Sequence, residues 1–232
     1  MTFFWLEKYG HLFVQGAITT FWLVFLSGLL GFALAVAVGL GRVSRNLLVN
    51  APCYLFTSVI RGTPLLVQIY FLYYGLGNLF PYIPAIRQSF LWPFLRESFW
   101  YVVLALTLSV GAYVGEIVRG ALLSVPRGEM EAARSYGFRG AALVRRIWLP
   151  RALQAMMPTL AGETVLLLKA TALASTVAVV DLLGAANIVR AQTFRVFEPL
   201  LFVAVIYFLA TLAIERGFLV LERRFGKAYR RA

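Results

Sequence analysis

The feature that most constrains this chain is a run of thirty residues, 12–41, without a charged side chain. A helix rises about 1.5 Å per residue, so about 20 apolar residues cross a hydrocarbon core of about 30 Å. Because the apolar core of a signal peptide is only about 7–15 residues long, we predict a spanning helix that the mature chain keeps. Gly31, Ala35 and Gly39 are spaced four apart in this run and predict a small-residue face for close helix packing.

The composition extends this prediction to the whole chain. Hydrophobic residues make up 61% and charged residues 14% of the 232 positions, whereas soluble domains average about 45–50% and about 25%. Further spans are predicted at residues 53–80, 98–115, 153–180 and 199–221, with Asp181 at the end of the fourth span. We therefore expect an all-α polytopic membrane protein with five transmembrane helices, because a helix satisfies its own backbone groups in lipid.

The basic residues predict the orientation. A net charge of +12 fits nucleic-acid binding, or the excess of Lys and Arg that membrane proteins keep on the cytoplasmic side. With the N-terminus outside, the inside segments hold 15 of the 22 Lys and Arg residues and the outside segments hold five. We predict an outside N-terminus, a cytoplasmic C-terminus and no nucleic-acid partner. His11 and Cys53 have no metal-ligand spacing, so no metal site is predicted.

The longest inside loop contains the charged sequence EMEAARSYGFRGAALVRRIWLP at residues 129–150. Pro126 suits a first helical turn, and Gly137 can take the left-handed conformation that ends a helix. A second short helix has an apolar face that includes Leu143, and Pro150 is expected to end it. The alternatives are a solvated connector and a DNA-binding helix-turn-helix; the two flanking membrane spans disfavour the second.

This loop resembles the EAA loop of bacterial ABC importer permeases. That motif begins with Glu-Ala-Ala, has a glycine after three more residues and ends in Leu-Pro. The matching residues here are Glu131, Ala132, Ala133, Gly137, Leu149 and Pro150. Because the loop of that family docks on a cytoplasmic ATPase, the resemblance implies that these six residues couple the chain to such a partner.

Two further stretches resemble the polar-amino-acid branch of the same family. Residues 60–68, IRGTPLLVQ, lack only the leading Phe of one motif, and Glu163 with residues 166–176, LLLKATALAST, matches another in part. Gly162 and Ala172 stand where that motif usually has Asn and Ser. The segments FLWPFLRESFW and GALLSVPRGEMEAARSYG are most similar to permeases for histidine, lysine, arginine and ornithine, and for opines.

The resemblance covers about residues 14–224 and implies a type I ABC importer permease fold in the bacterial inner membrane. It implies one transmembrane permease domain, 1–232, with the coupling loop at about 120–151. The implied partners are a second permease subunit in a heterodimer, a cytoplasmic ATPase dimer and a periplasmic substrate-binding protein. The implied substrate is a basic amino acid or an opine. A permease of the glutamine or glutamate type and a non-transporting membrane anchor are the alternatives.

The chain itself is not expected to be an enzyme. It contains no phosphate-binding loop of the form GxxxxGK[ST], and RFGKAYR near its end lacks the first glycine and the hydroxyl residue. ATP and magnesium are expected on the partner ATPase, and no cofactor is expected in this chain. A membrane-embedded enzyme would need clustered catalytic groups, whereas the ionisable residues of these spans are scattered.

Polar residues inside the fourth span are candidates for the translocation path. Glu163 and Lys169 are six residues apart, about 120° around a helix, so they are not expected to pair with each other. Glu163 is expected to meet either the cationic side chain of a substrate or a structural partner. Lys169 either faces the path or reaches an interface. Thr171 and Ser175 either line the path or bond to carbonyls of their own helix.

The segment RGTP at 61–64 predicts a break in the second span, because its proline has no N–H and its glycine loosens the backbone. Broken helices within a membrane line cavities or pack inside protein. Thr63 and Gln68 are therefore further candidates for the path. Arg61 is expected to be a structural ion, with Glu116 as a conceivable partner.

Single cysteines in a Cys53→Ser background test the predicted orientation. In spheroplasts, a membrane-impermeant thiol reagent is expected to label Arg190→Cys directly and to label Arg145→Cys only after the membrane is opened. Labelling of Arg145→Cys from outside would contradict both the orientation and the coupling interpretation of the loop.

Overall fold

The computed structural model describes the backbone of residues 4–229 and the side chains of residues 6–223, and no strand occurs in that part of the chain. Two π-helical segments, Phe71–Leu76 and Val144–Trp148, and two 3-10 segments, Phe80–Tyr82 and Thr171–Val177, join neighbouring α-helices. The α-helices are α1 Phe4–Arg42, α2 Leu47–Gly62, α3 Leu65–Tyr70, α4 Gly77–Leu79, α5 Pro84–Arg87, α6 Trp92–Leu95, α7 Ser98–Ser124, α8 Arg127–Ser135, α9 Gly140–Leu143, α10 Leu149–Ala170, α11 Leu182–Thr193 and α12 Phe197–Tyr229.

Four spans are confirmed, and the count reaches the predicted five when one bent helix pair is taken as a single span. Four helical segments are long and apolar enough to cross a membrane, at Leu6–Arg42, Ser98–Ser124, Gly140–Val177 and Phe197–Arg223. The fifth span is a bent pair, Leu47–Gly62 and Leu65–Tyr82, whose halves meet at 104°. The predicted break therefore lies at residues 63–64, where Pro64 cannot donate a hydrogen bond to the end of α2.

The small-residue face of α1 packs against α7, as predicted. A Cβ atom on Gly31 would lie 2.6 Å from the side chain of Val110, and one on Gly39 would lie 2.5 Å from Val118 Cγ1. The contact is reciprocal, because a Cβ on Gly111 would lie 2.5 Å from Leu34. Without side chains at these positions the two backbones approach closely, which is how helices gain van der Waals contact in lipid.

The region after the fourth span differs from the prediction. The span ends in the 3-10 segment Thr171–Val177, Ala178 takes a left-handed conformation with φ +59°, and α11 follows. Asp181 does not simply end the span: it is completely buried at the start of α11, which packs between α1 and α12. No helix was predicted between the fourth and fifth spans, so α11 was not expected from the sequence.

A glycine-to-alanine pair tests the α1–α7 contact. Gly39→Ala is expected to lower the apparent melting temperature in detergent, because Val118 and the backbone carbonyl of Gly115 must move; overpacking of this kind costs about 1–3 kcal/mol. Gly120→Ala in α7 is the matched control, since no heavy atom outside its own helix lies within 4 Å of the added Cβ. Equal melting temperatures for the two variants would contradict the close contact.

Candidate functional site

The predicted glycine stop ends α8. Gly137 has φ +86°, its N–H donates to the carbonyl of Arg134 at 2.9 Å, and the N–H of Phe138 donates to the carbonyl of Ala133 at 3.1 Å. These two bonds form the Schellman arrangement, in which a left-handed residue lets the chain turn back and satisfy the last carbonyls of a helix. Only glycine takes this conformation without steric cost.

The second helix of the loop does not end at Pro150, so that prediction is wrong. The helix runs from α9 through the π segment Val144–Trp148 directly into α10. The N–H of Leu149 bonds five residues back to the carbonyl of Val144, and this widened turn stands immediately before the proline, which has no N–H to donate. As a result, the loop and the fourth span share one continuous helix.

The loop packs on the bundle and is not a solvated connector. Met130, Ala133 and Leu143 are buried in the same apolar cluster as residues of α7 and α10. The Trp148 indole N–H donates to the carbonyl of Leu122 at 2.8 Å. A salt bridge of 2.7 Å between Glu129 and Arg151 joins α8 to α10. The loop is therefore attached to the end of the helix bundle by apolar packing, by the Trp148 hydrogen bond and by the ion pair of Glu129 with Arg151.

The six residues of the EAA motif divide into an exposed and a packed set. Ala133 is buried and Leu149 is half-buried. The remaining four motif residues are exposed: Glu131, Ala132, Gly137 and Pro150. The loop thus presents small and acidic positions outward from a rigid base, which is an arrangement that a partner protein can approach closely.

Glu116 binds two arginines, and neither of them is Arg61. Its carboxylate oxygens accept from Arg42 Nε and Arg119 Nε, both at 2.7 Å. Thr57 in α2 donates to the same carboxylate at 3.2 Å. The suggested pairing of Arg61 with Glu116 is therefore wrong: Arg42 at the end of α1 occupies that position, and this network joins α1, α2 and α7.

Arg61 lies instead beside the Glu163 region. Its guanidinium stands over the ring of Tyr113 at 5.4 Å and interacts electrostatically with Glu163. Glu163 is half-buried and lines two cavities of about 280 and 270 Å³, the second of which also contains Ser109 and Tyr113. Glu163, one of the predicted path residues, is thus placed at a cavity, with a cation and hydroxyl groups nearby.

Thr63 and Gln68 stabilise the break in the second span. The Gln68 amide N–H₂ donates to the carbonyl of Ile60 at 2.8 Å, and this is the carbonyl that the missing N–H of Pro64 would have bonded. The same amide donates to the Thr63 carbonyl at 3.1 Å and to its hydroxyl at 2.9 Å. The N–H₂ group of Gln68 is therefore occupied by the backbone of α2, whereas its buried amide oxygen has no partner among the described residues.

The hydroxyl residues after α10 bond to their own helix. Thr171 is buried and donates to the Leu168 carbonyl at 2.7 Å, while Ser175 donates to the Ala172 carbonyl at 2.8 Å. Of the two predicted roles, lining the path or bonding to carbonyls of their own helix, these contacts correspond to the bonding role. Lys169 is exposed on α10. The structure therefore does not bring these residues together with Glu163 in one site.

A buried polar cluster that the sequence analysis missed surrounds Asp181. One carboxylate oxygen accepts from the N–H of Gly184 at 2.8 Å, and the other accepts from the Tyr207 hydroxyl at 3.2 Å. The hydroxyl of Thr20 accepts from the N–H of Leu182 at 3.2 Å. The helix-capping pattern of an Asp directly before a helical run was the available signal. The partners on α1 and α12 are distant in the sequence, so no local sequence pattern indicated them.

The comparisons with known proteins identify the family. A family model described as a binding-protein-dependent transport system inner membrane component matches residues 27–227. The chain belongs to this family. It is therefore a component of the inner membrane, and both the predicted class and the predicted location are confirmed.

Named relatives and solved structures agree with this assignment. The chain is 41% identical to the octopine transport system permease protein OccM of Rhizobium radiobacter over 193 residues, covering 83% of this chain and 77% of the relative. It is 40% identical to the histidine/lysine/arginine/ornithine transport system permease protein HisM of Escherichia coli (strain K12) over 222 residues, covering 95% and 90%.

The solved structures confirm the fold. A chain from the crystal structure of an amino acid ABC transporter with histidines has a TM-score of 0.79 and 34% identity, covering 97% of this chain and 99% of that chain. A chain of the inward-facing MetNI methionine ABC transporter has a TM-score of 0.77 at 21% identity, covering 94% and 98%, and supports the fold alone. The predicted ABC importer permease fold is confirmed.

The conformation of Gly137 leads to a prediction about α8. Gly137→Ala is expected to destabilise the last turn by about 1 kcal/mol, because the left-handed conformation is unfavourable for residues with a Cβ. Amide hydrogen exchange at positions 137 and 138 should accelerate roughly five-fold. Gly128→Ala is the matched control. The added methyl group has no heavy atom within 4 Å in either variant, but of the two glycines only Gly137 has a positive φ. Equal exchange rates in both variants would contradict the capping role.

Proposed function

We propose that this chain is the permease subunit of an ATP-driven importer, and that it couples to a cytoplasmic ATPase through residues 120–151. The single observation that carries the proposal is the position of the EAA motif. Its Glu131 and Ala132 face outward from α8, while the helix that begins at α9 continues into the span that holds Glu163. A displacement of the loop is therefore expected to move a group at a cavity inside the bundle.

The connection between loop and cavity is a single helix. Arg151, which pairs with Glu129 of α8, and Glu163 are twelve residues apart on it, about 18 Å along its axis. Packed apolar residues and the backbone hydrogen bonds of α10 join these two points, with one bond missing at Pro158, which has no N–H, and we expect the two ends to move together. Under this proposal, closure of an ATPase dimer moves α8 and α10 together and changes access to the Glu163 cavities.

The proposed assembly follows from the family. A second permease subunit, similar to this chain but distinct from it, completes the path, and a periplasmic binding protein delivers the substrate. ATP and magnesium are bound by the ATPase subunits. The exposed apolar residues of α2 and α12, which include Leu55, Phe208 and Leu209, are available for lipid or for the second subunit.

The proposed substrate is a basic amino acid or an opine. Support comes from the named relatives, which transport octopine or histidine, lysine, arginine and ornithine, and from a carboxylate at the cavity. Glu163 is placed to attract a cationic side chain, because an ionised carboxylate in a partly desolvated site favours an opposite charge.

A pull-down tests the coupling role. The tagged chain, solubilised from native membranes, is expected to recover an ATPase with a phosphate-binding loop and a second permease. Gly137→Asp should lose the ATPase and keep the second permease, because the added carboxylate alters the turn that shapes the docking surface. Ala191→Asp, an exposed position on α11, is the matched control. Recovery of the ATPase by all three proteins in equal amounts would contradict the docking role of the loop.

Uptake in a strain that lacks this chain tests the substrate. Complementation with the wild type is expected to restore uptake of labelled arginine, lysine, histidine or octopine. Glu163→Gln should reduce that uptake about ten-fold, since removing the partner of a buried charge costs 1.4 kcal/mol or more. Glu215→Gln on the exposed side of α12 is the control. Unchanged uptake of all four compounds on deletion would overturn the substrate proposal.

A further inference from the structure

A basic cavity of about 500 Å³ lies between α8 and the end of the helix bundle, and it shares no lining residue with the two Glu163 cavities. Its volume falls within the range of about 300–1,000 Å³ that is typical of small-molecule sites. Arg45 comes from the turn between α1 and α2, while Arg127 and Arg134 come from the two ends of α8. Three guanidinium groups from separate parts of the chain thus line one space.

These three arginines differ from their neighbours in forming no salt bridge with the described residues. Arg42 and Arg119 pair with Glu116, and Arg151 pairs with Glu129. Among the side chains that the structure describes, no salt bridge involves the three arginines of the cavity. Glu131 is the one carboxylate in the lining, so the cavity keeps a surplus of two positive charges. Such a surplus favours an anion, and guanidinium groups match the oxygens of a phosphate in geometry as well as in charge.

The remaining wall of the cavity is apolar. Leu123, Val125 and Trp148 line it, and the Leu123 side chain is 61% exposed at the end of α7. The apolar surface extends to the residues after Arg45, since Leu47 and Leu48 are 76% and 85% exposed at the start of α2. A ligand that fits both parts is an amphiphile with an anionic head and hydrocarbon tails.

We infer that this cavity binds the phosphate headgroup of an anionic phospholipid, with the acyl chains on the exposed leucines of α2 and α7. The cavity is at the end of the bundle that bears the coupling loop, where basic pockets between spans meet anionic headgroups of the cytoplasmic leaflet. Because Arg127 and Arg134 belong to α8, the bound lipid ties this helix to the turn at Arg45. This inference does not depend on the proposed substrate, but it shares α8 and Glu131 with the proposed ATPase-docking surface, so it is tested on the chain without the ATPase.

Native mass spectrometry of the purified full chain tests the inference. The protein is extracted from nanodiscs of phosphatidylcholine with a minor share of phosphatidylglycerol, and the retained lipids are counted. The wild type should retain phosphatidylglycerol. Arg45→Gln and Arg134→Gln should each weaken retention of phosphatidylglycerol roughly five-fold, because each variant removes one arginine that attracts the anionic headgroup. Arg145→Gln and Arg146→Gln are matched controls, because both are exposed in the same loop and neither lines the cavity.

A variant that is expected to bind more lipid distinguishes a specific effect from misfolding. Glu131→Gln removes the single carboxylate of the lining and should increase retention of phosphatidylglycerol, an effect that damage to the fold cannot produce. Equal losses in the cavity and control variants would overturn the inference, as would an unchanged retention in Glu131→Gln. Displacement of the lipid by inorganic phosphate at equal concentration would show a site for free phosphate and would also overturn it.

Discussion

The close contact between α1 and α7 is the constraint on which the rest of the bundle depends. Lipid tails are as apolar as leucine, so helices in a membrane gain little from hydrophobic burial and associate through packing and polar bonds. Gly31 and Gly39 on one helix and Gly111 on the other remove the side chains that would separate the backbones. The interaction of Arg42 with Glu116 then fixes the two helices relative to each other at the end that bears the coupling loop.

The other helices differ in the kind of interaction that attaches them to the pair of α1 and α7. The first half of the broken span is tied to it by polar bonds, since Asn50 and Thr57 bond to Arg42 and Glu116. The opposite end of α1 is joined to α11 and α12 through the Asp181 cluster. By contrast, the loop and α10 are held on this pair mainly by apolar packing and by the hydrogen bond from Trp148 to the carbonyl of Leu122, while the salt bridge of Glu129 with Arg151 joins α8 to α10 themselves. Under the proposed function, the pair of α1 and α7 is the frame, and the loop with the fourth span is the part that moves against it.

The sequence predicted those features that depend on neighbouring residues. The spans, the small-residue face of α1, the break at Pro64 and the turn at Gly137 each follow from residue types within a few positions of one another. The continuation of the helix through Pro150 could not be predicted, because the π turn that accommodates this proline is one of several backbone solutions.

The errors concern partners that are distant in the sequence. Arg61 was given Glu116 as a conceivable partner, but Arg61 lies one turn along α2 from Thr57, which reaches Glu116, and stands beside Tyr113 and Glu163 instead. Gln68 was proposed to line the path, and its N–H₂ group is occupied by carbonyls that the break itself leaves free. Glu163 remains a candidate for the substrate site because tertiary structure, which the sequence does not supply, leaves a cavity beside it.

The central claim is that ATP-driven movement of the loop changes access to the Glu163 cavity. The most direct test is the labelling rate of Ser109→Cys, which lines that cavity, in a Cys53→Ser background within the assembled complex in proteoliposomes. A small membrane-impermeant thiol reagent should label this cysteine at a rate that ATP changes several-fold, and Gly137→Asp should remove the ATP effect while leaving the rate without ATP unchanged. A rate that does not respond to ATP, or an ATP effect that persists in Gly137→Asp, would contradict the account.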